Sequence, residues 1–162
     1  GGYISGGLYN PAVTLGVWMR GKCDGKEVPF YMIAQVLGAA LGSFLAVKLR
    51  SPELVTAATP HVLSALVAEL IFTFALAYVV LHTATSKQTA GNSYYGLAIG
   101  FTLMTAAYSI GGISGCAINP AVAVGLTVMG LSKLANLWIF LVANFAGGAL
   151  AAVLFKLVNS EE

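Results

Sequence analysis

Hydrophobic residues along the chain form four runs that are long enough to cross a membrane. Each run holds about 20 mostly apolar residues, which is the length that an α-helix needs to span a bilayer. The four predicted spans are Pro29–Leu49, His61–His82, Ser93–Ile110 and Leu134–Leu157. Two further helical runs, Pro11–Arg20 and Pro120–Gly130, are too short to span. We therefore expect four spanning helices and two half-helices.

The two short runs belong to a repeated segment. Residues 5–16 align with 114–125, and the same spacing of 109 positions aligns 34–41 with 143–150. Repetition of this kind indicates that one structural unit occurs twice. Two predicted spans precede the second copy, whereas none precedes the first copy, which begins near Gly1 rather than after a Met. The repeat therefore predicts that two spans of the first copy lie upstream of this sequence.

Each complete copy would hold three spans and one half-helix. An odd number of crossings inverts the second copy in the membrane, and inverted repeats place their functional site where discontinuous helices meet. We treat 1–162 as one domain, with 1–50 as the end of the first repeat and 61–158 as the second repeat. The basic residues lean toward this topology: Arg20, Lys22, Lys26, Lys87 and Lys156 would be cytoplasmic, and Lys48, Arg50 and Lys133 would lie outside.

Composition places most of the protein surface in lipid. Hydrophobic residues make up 58% of the chain and charged residues 9%, and the mean hydropathy is +0.85. Soluble domains carry about 25% charged residues, so the chain is predicted to be an integral membrane protein. A net charge of +2 does not indicate the strongly basic surface that binds nucleic acid. Two cysteines, Cys23 and Cys116, form no disulfide framework or metal cluster. Because no catalytic or cofactor-binding motif occurs, we expect neither an enzyme nor a cofactor.

The same tripeptide begins both half-helices: Asn10-Pro11-Ala12 in the first and Asn119-Pro120-Ala121 in the second. Asparagine is favoured at the N-cap of a helix, and proline is tolerated in its first turn. A helix N-terminus carries about half a positive elementary charge. Two such ends that face each other repel cations, while the two side-chain amides donate hydrogen bonds to a passing oxygen. This arrangement predicts a pore for neutral solutes that excludes ions and protons.

The two tripeptides and their matched flanks resemble the major intrinsic protein family, the aquaporins and glycerol facilitators. Further similarities are the Ala34-Gln35 pair, Ser114-Gly115-Cys116, Trp138-Ile139-Phe140 and Gly147-Gly148. The resemblance covers the whole chain. It implies an all-α, right-handed helical bundle of six spans with an inverted repeat and two re-entrant half-helices, of which this chain covers the last four spans. It also implies a homotetramer in the lipid bilayer, with one pore per subunit for water and small uncharged solutes.

The resemblance also implies a selectivity filter. One of its positions falls at Ala107, two fall at Cys116 and Val122, and the fourth belongs to a span outside this sequence. The family usually has arginine where this chain has Val122, and its water-selective members often have histidine where this chain has Ala107. Both departures predict a wider and more apolar filter. The alternative is that Val122 packs away from the pore and another residue supplies the missing donor.

Other positions give a mixed indication of the solute. Glycerol facilitators usually carry an aspartate and a basic residue where this chain has Ala123 and Thr127, which argues against a standard member of that group. Water channels tend to have tryptophan after the aromatic Phe140, and this chain has Leu141. We therefore expect passage of water together with small neutral solutes such as urea, ammonia, peroxide and glycerol.

Glu69 lies inside the second predicted span, far from any loop. A carboxylate within the membrane costs several kcal/mol and marks a candidate functional group. In the family, a glutamate in this span accepts hydrogen bonds from the backbone of the second re-entrant loop, and the resemblance gives that role to Glu69. A proton relay is the alternative. Leu8 stands where the family has a histidine, which leaves the support of the first loop open.

Two other classes of membrane protein share parts of this pattern. Secondary transporters also use inverted repeats and broken helices, but they need a coupling group, for which the sequence offers Glu69 alone. A structural or junctional membrane protein would keep the pore fold without its permeability. The sequence favours a passive, multi-pass channel of the plasma membrane or an internal membrane.

Overall fold

The computed structural model describes residues 1–49 and 56–160, so Arg50, which we expected outside the membrane, lies beyond the described residues. The α-helices in chain order are α1 (Gly2–Ser5), α2 (Pro11–Met19), α3 (Val28–Leu49), α4 (Val62–Val80), α5 (Tyr95–Ser114), α6 (Pro120–Val128) and α7 (Leu137–Val158). A π-helical segment, Leu81–Thr85, continues α4, and 3-10 turns occur at Lys87–Thr89 and Leu134–Asn136.

Four of the described helices are long and apolar enough to cross a membrane, which confirms the four predicted spans. They are Val28–Leu49, Val62–Thr85, Tyr95–Ser114 and Leu134–Val158. The third span ends at Ser114 rather than at the predicted Ile110. Gly111 and Gly112 stay helical, and the Gly115 N–H group closes the last turn by donating to the Gly111 carbonyl oxygen at 3.0 Å. The helix ends at Gly115, which adopts the left-handed conformation (φ 91°) that is typical of a residue following a helix.

The two half-helices, α2 and α6, have nine residues each and are too short to cross a bilayer. Each begins with a proline that follows an extended asparagine, as expected from the N-cap preference of asparagine. Each packs most extensively against the spanning helix of the other copy, α2 against α7 and α6 against α3. This exchange of contacts joins the two copies into one helical bundle.

Small residues bring the half-helices close to the spans. A Cβ atom on Gly148 of α7 would overlap the carbonyl oxygen of Ala12 in α2, and one on Gly16 would lie 3.2 Å from the Gly148 carbonyl oxygen. At the equivalent crossing of α6 and α3, a Cβ atom on Gly125 would lie 2.6 Å from Ser43 Oγ. Glycine is therefore required at Gly148, where the close atoms belong to the backbone of α2, and it favours close approach at Gly16 and Gly125, as at other close crossings of membrane helices.

Replacing Gly148 with valine is expected to push α2 away from α7 and to lower the thermal midpoint by at least about 2 °C, because overpacking costs about 1–3 kcal/mol. Fluorescence-detected unfolding of the purified protein in detergent measures this midpoint. Gly112→Val in α5 is the matched control, since no described atom lies within 4 Å of a Cβ atom built there. Equal midpoints for the two variants would contradict a close crossing at Gly148.

Candidate functional site

The N-termini of the two half-helices meet through their asparagine side chains. Asn10 Nδ2 donates a hydrogen bond to the carbonyl oxygen of Ile118 at 2.9 Å, and Asn119 Nδ2 donates one to the carbonyl oxygen of Tyr9 at 3.2 Å. Tyr9 and Ile118 occupy equivalent positions of the repeat, so the two contacts are reciprocal. Each asparagine thus holds the loop of the other copy.

The same asparagines also cap their own helices. Asn10 Oδ1 accepts hydrogen bonds from the backbone N–H groups of Ala12 and Val13 at 2.9 and 3.4 Å. Asn119 Oδ1 makes the same two contacts, at 2.9 and 3.4 Å, with the second and third residues after it. A side-chain amide has two N–H donors. One is used in the contact between the loops, which leaves the other for a solute in the adjoining cavity.

A cavity of about 820 Å³ adjoins this junction, and Asn10, Asn119 and Val122 all line it. Most of its wall is apolar, with side chains from several helices, among them Val13, Leu76, Val80, Ile99 and Leu103. A few polar groups in an apolar wall orient a small solute without offering an ion the full set of ligands that would replace its hydration shell.

Of the three predicted filter residues, the described lining of the cavity includes Val122. The Val122 side chain is 40% exposed and borders the cavity beside Asn119. Ala107 is exposed on α5, and Cys116 is half-buried against apolar core residues. Neither of these two is among the described residues that line the large cavity. A second cavity, of about 360 Å³, is lined by residues 111–115, which lead into the loop, and by residues 58–61 and Ser64 at the start of α4.

Glu69 lies against the second re-entrant loop and is fully buried. Its Oε1 atom accepts hydrogen bonds from Ser114 Oγ at 2.6 Å and from the Ala117 N–H group at 2.8 Å, and its Oε2 atom accepts one from the Ile118 N–H group at 2.6 Å. Cys116 and Ile118 have positive φ angles of 52° and 37°, a conformation that residues other than glycine rarely adopt. The buried carboxylate therefore obtains three donors while it holds a strained loop in place.

Gln35 of α3 supports the first re-entrant loop. Its Nε2 atom donates hydrogen bonds to the Leu8 carbonyl oxygen and to Thr14 Oγ1, both at 2.9 Å. Thr14 Oγ1 in turn donates to the Asn10 carbonyl oxygen at 2.9 Å. We did not predict this role, although a lone glutamine in an apolar span was a signal for it. The apolar side chain of Leu8 cannot hold the first re-entrant loop by hydrogen bonds. The loop is held instead through the Leu8 carbonyl oxygen, which accepts the hydrogen bond from Gln35.

Comparison with known proteins identifies the family. A family model described as "Major intrinsic protein" matches residues 1–155. The chain belongs to the major intrinsic protein family. It is 33% identical to Aquaporin NIP1-4 of Oryza sativa subsp. japonica, over 98% of this chain and 59% of that protein. It is 34% identical to Aquaporin AqpM of Methanothermobacter marburgensis, over 99% of this chain and 70% of that protein.

A solved structure gives the same assignment. The X-ray structure of the aquaglyceroporin from Plasmodium falciparum matches with a TM-score of 0.80 and 25% identity, over 96% of this chain and 74% of that chain. Membership of the major intrinsic protein family confirms the resemblance, the all-helical fold and the placement in a membrane. The chain spans 59% of the length of the rice relative.

Proposed function

We propose that this protein is a passive transmembrane channel for water and small neutral solutes. The reciprocal contact of Asn10 and Asn119 at the edge of an apolar cavity carries this proposal. It brings two helix N-termini together, so their positive potentials add and oppose the entry of cations. The names of the relatives, aquaporins and an aquaglyceroporin, support the same function.

The proposed range of solutes depends on Val122, which lies in the first turn of the second half-helix, α6. Val122 brings neither charge nor hydrogen-bond donors to the cavity that it borders. We propose that Val122, with Ala107 and Cys116, forms a filter wide enough for urea, ammonia, peroxide and glycerol as well as water. The placement of Cys116 in this filter is supported by its neighbour Gly115, which lines the second cavity.

The homotetramer that is usual in the family is part of the same proposal. Within the described chain, α3 and α5 are far less buried than α4 and α7. Their apolar faces are therefore available to lipid, to the two spans predicted upstream and to neighbouring subunits.

Reconstitution into liposomes tests the proposed permeability. Stopped-flow light scattering is expected to show faster water efflux than in protein-free liposomes, and faster swelling in isotonic urea or glycerol. Water flux without solute flux would contradict the wide filter. Flux that saturates, or that requires a sodium or proton gradient, would instead favour a secondary transporter. Negligible flux through correctly folded protein would favour a structural membrane protein.

A further inference from the structure

Asn144 lies in the middle of α7 and is fully buried. Its Oδ1 atom accepts a hydrogen bond from Thr73 Oγ1 of α4 at 2.9 Å. Its Nδ2 atom is also buried but has no hydrogen-bond partner within the described part of the chain. A buried amide donor without a partner is destabilising, and lipid offers it no alternative. Some acceptor is therefore expected at this position.

The repeat indicates where this amide points. Asn144 is equivalent to Gln35, whose amide donates to the Leu8 carbonyl oxygen and to Thr14 Oγ1. The equivalents of Leu8 and Thr14 in the second copy are residues 117 and 123, both alanines. The second copy thus keeps the backbone carbonyl group but lacks the hydroxyl group. Its amide is also one methylene further from the loop, because asparagine is shorter than glutamine.

Packing around α7 supports this equivalence. Ala117 and Ala123 form a buried apolar cluster with Phe140, which lies one turn before Asn144 on the same helix. Residues four apart share a helix face, so Asn144 and Phe140 both face the second loop. Relative to the first copy, the side chain of Asn144 is one methylene shorter than that of Gln35, and Ala123 lacks both the hydroxyl and the methyl group of Thr14. Together these missing groups are at least as large as a water molecule, which occupies about 30 Å³ in the liquid.

We propose that Asn144 and Thr73 bind one internal water molecule against the second re-entrant loop. The water accepts a hydrogen bond from Asn144 Nδ2 and donates to the Ala117 carbonyl oxygen and to Thr73 Oγ1. Three partners is the usual number for a buried water. It replaces the direct contact that Gln35 makes with the first loop. Asn144 is therefore a positioning residue for the loop that Glu69 holds from the other side of the Ala117 peptide.

The Asn144→Leu variant tests this water site, because leucine has a similar size and no donor. Its thermal midpoint is expected to fall by about 5 °C. The backbone amides of residues 117 and 118 are expected to exchange hydrogen about tenfold faster, measured by mass spectrometry on the full chain in detergent. Amides of residues 6–9 in the first loop should keep their rates. If Nδ2 is simply unpaired, leucine would remove a penalty, and an equal or higher midpoint would overturn the proposal.

Two further variants separate the water site from a general loss of packing. The double variant Ala123→Thr with Asn144→Gln copies the first repeat, and it is expected to restore both the midpoint and the exchange rates. Gln35→Leu is the matched control and should accelerate exchange in the first loop alone. A double variant as unstable as Asn144→Leu would contradict the proposed contact. These measurements need no solute flux, so their outcome is independent of the proposed channel function.

Discussion

The Glu69→Gln variant is expected to lose at least about tenfold in water permeability per folded protein, together with thermal stability. A glutamine keeps one acceptor oxygen but turns an NH₂ group toward donors that the carboxylate now satisfies, namely Ser114 Oγ and the N–H groups of Ala117 and Ile118. Each donor left unpaired in this buried site costs about 1–3 kcal/mol. The loop then loses the support for its positive φ angle at Ile118.

The loss of permeability follows from a chain of contacts. The Ile118 N–H group is held by Glu69, and the Ile118 carbonyl oxygen accepts the hydrogen bond from Asn10. Loosening the Ile118 peptide therefore separates the two half-helix N-termini, which are held together by that bond and its counterpart from Asn119. Stopped-flow water efflux and detergent unfolding measure the two expected changes.

A matched control for Glu69 is Glu27→Gln, because Glu27 is an exposed carboxylate just before α3. This variant is expected to keep both permeability and stability. A Glu69→Gln protein with the midpoint and permeability of the original chain would contradict the anchoring role. A variant that keeps its stability and loses a proton-dependent flux would support the proton relay instead.

The Val122→Arg variant is expected to lower urea and glycerol permeability by more than tenfold, with a smaller decrease for water. Val122 borders the cavity at the second half-helix, directly after the tripeptide that begins with Asn119. An arginine side chain is longer, so it narrows the passage beside Asn119 and hinders urea and glycerol more than the smaller water molecule. Its charge adds to the positive potential of the helix N-termini and should reduce any proton leak.

Liposome swelling in isotonic solute measures the first effect, and a pH-sensitive dye inside the liposomes measures the proton leak. Val128→Arg is the matched control, because Val128 is 44% exposed at the other end of the same half-helix and is not among the described residues that line the cavity. It is expected to leave both fluxes unchanged. If Val122→Arg also changes neither flux, Val122 does not line the constriction and another residue supplies the filter.

Local patterns in the sequence predicted the elements of the fold. The four spans follow from run length, since a backbone in lipid must satisfy its hydrogen bonds within one helix. The starts of α2 and α6 follow from the preference for asparagine before proline at a helix N-terminus. The boundary of α5 was less well predicted, because whether Gly111 and Gly112 continue a helix depends on the turn that follows them.

The contacts of the candidate site were less accessible to sequence reasoning. The role of Gln35 was missed, because its partners Leu8 and Thr14 lie 27 and 21 residues away in the chain. The filter positions came from the family resemblance, and the structure brings Val122, but neither Ala107 nor Cys116, to the cavity of the two asparagines. The position of a residue in the sequence does not show which cavity its side chain lines in the folded protein.

The sequence by itself determined the membrane class, the repeat and the two half-helices, because these depend on side-chain polarity and on backbone preferences that act within one turn of a helix. Only the tertiary structure decided how the copies join. The bonds from Asn10 to Ile118 and from Asn119 to Tyr9 connect residues 108 and 110 positions apart. Each half-helix also packs on the span of the other copy. Such contacts form only when the whole bundle places both loops at one point.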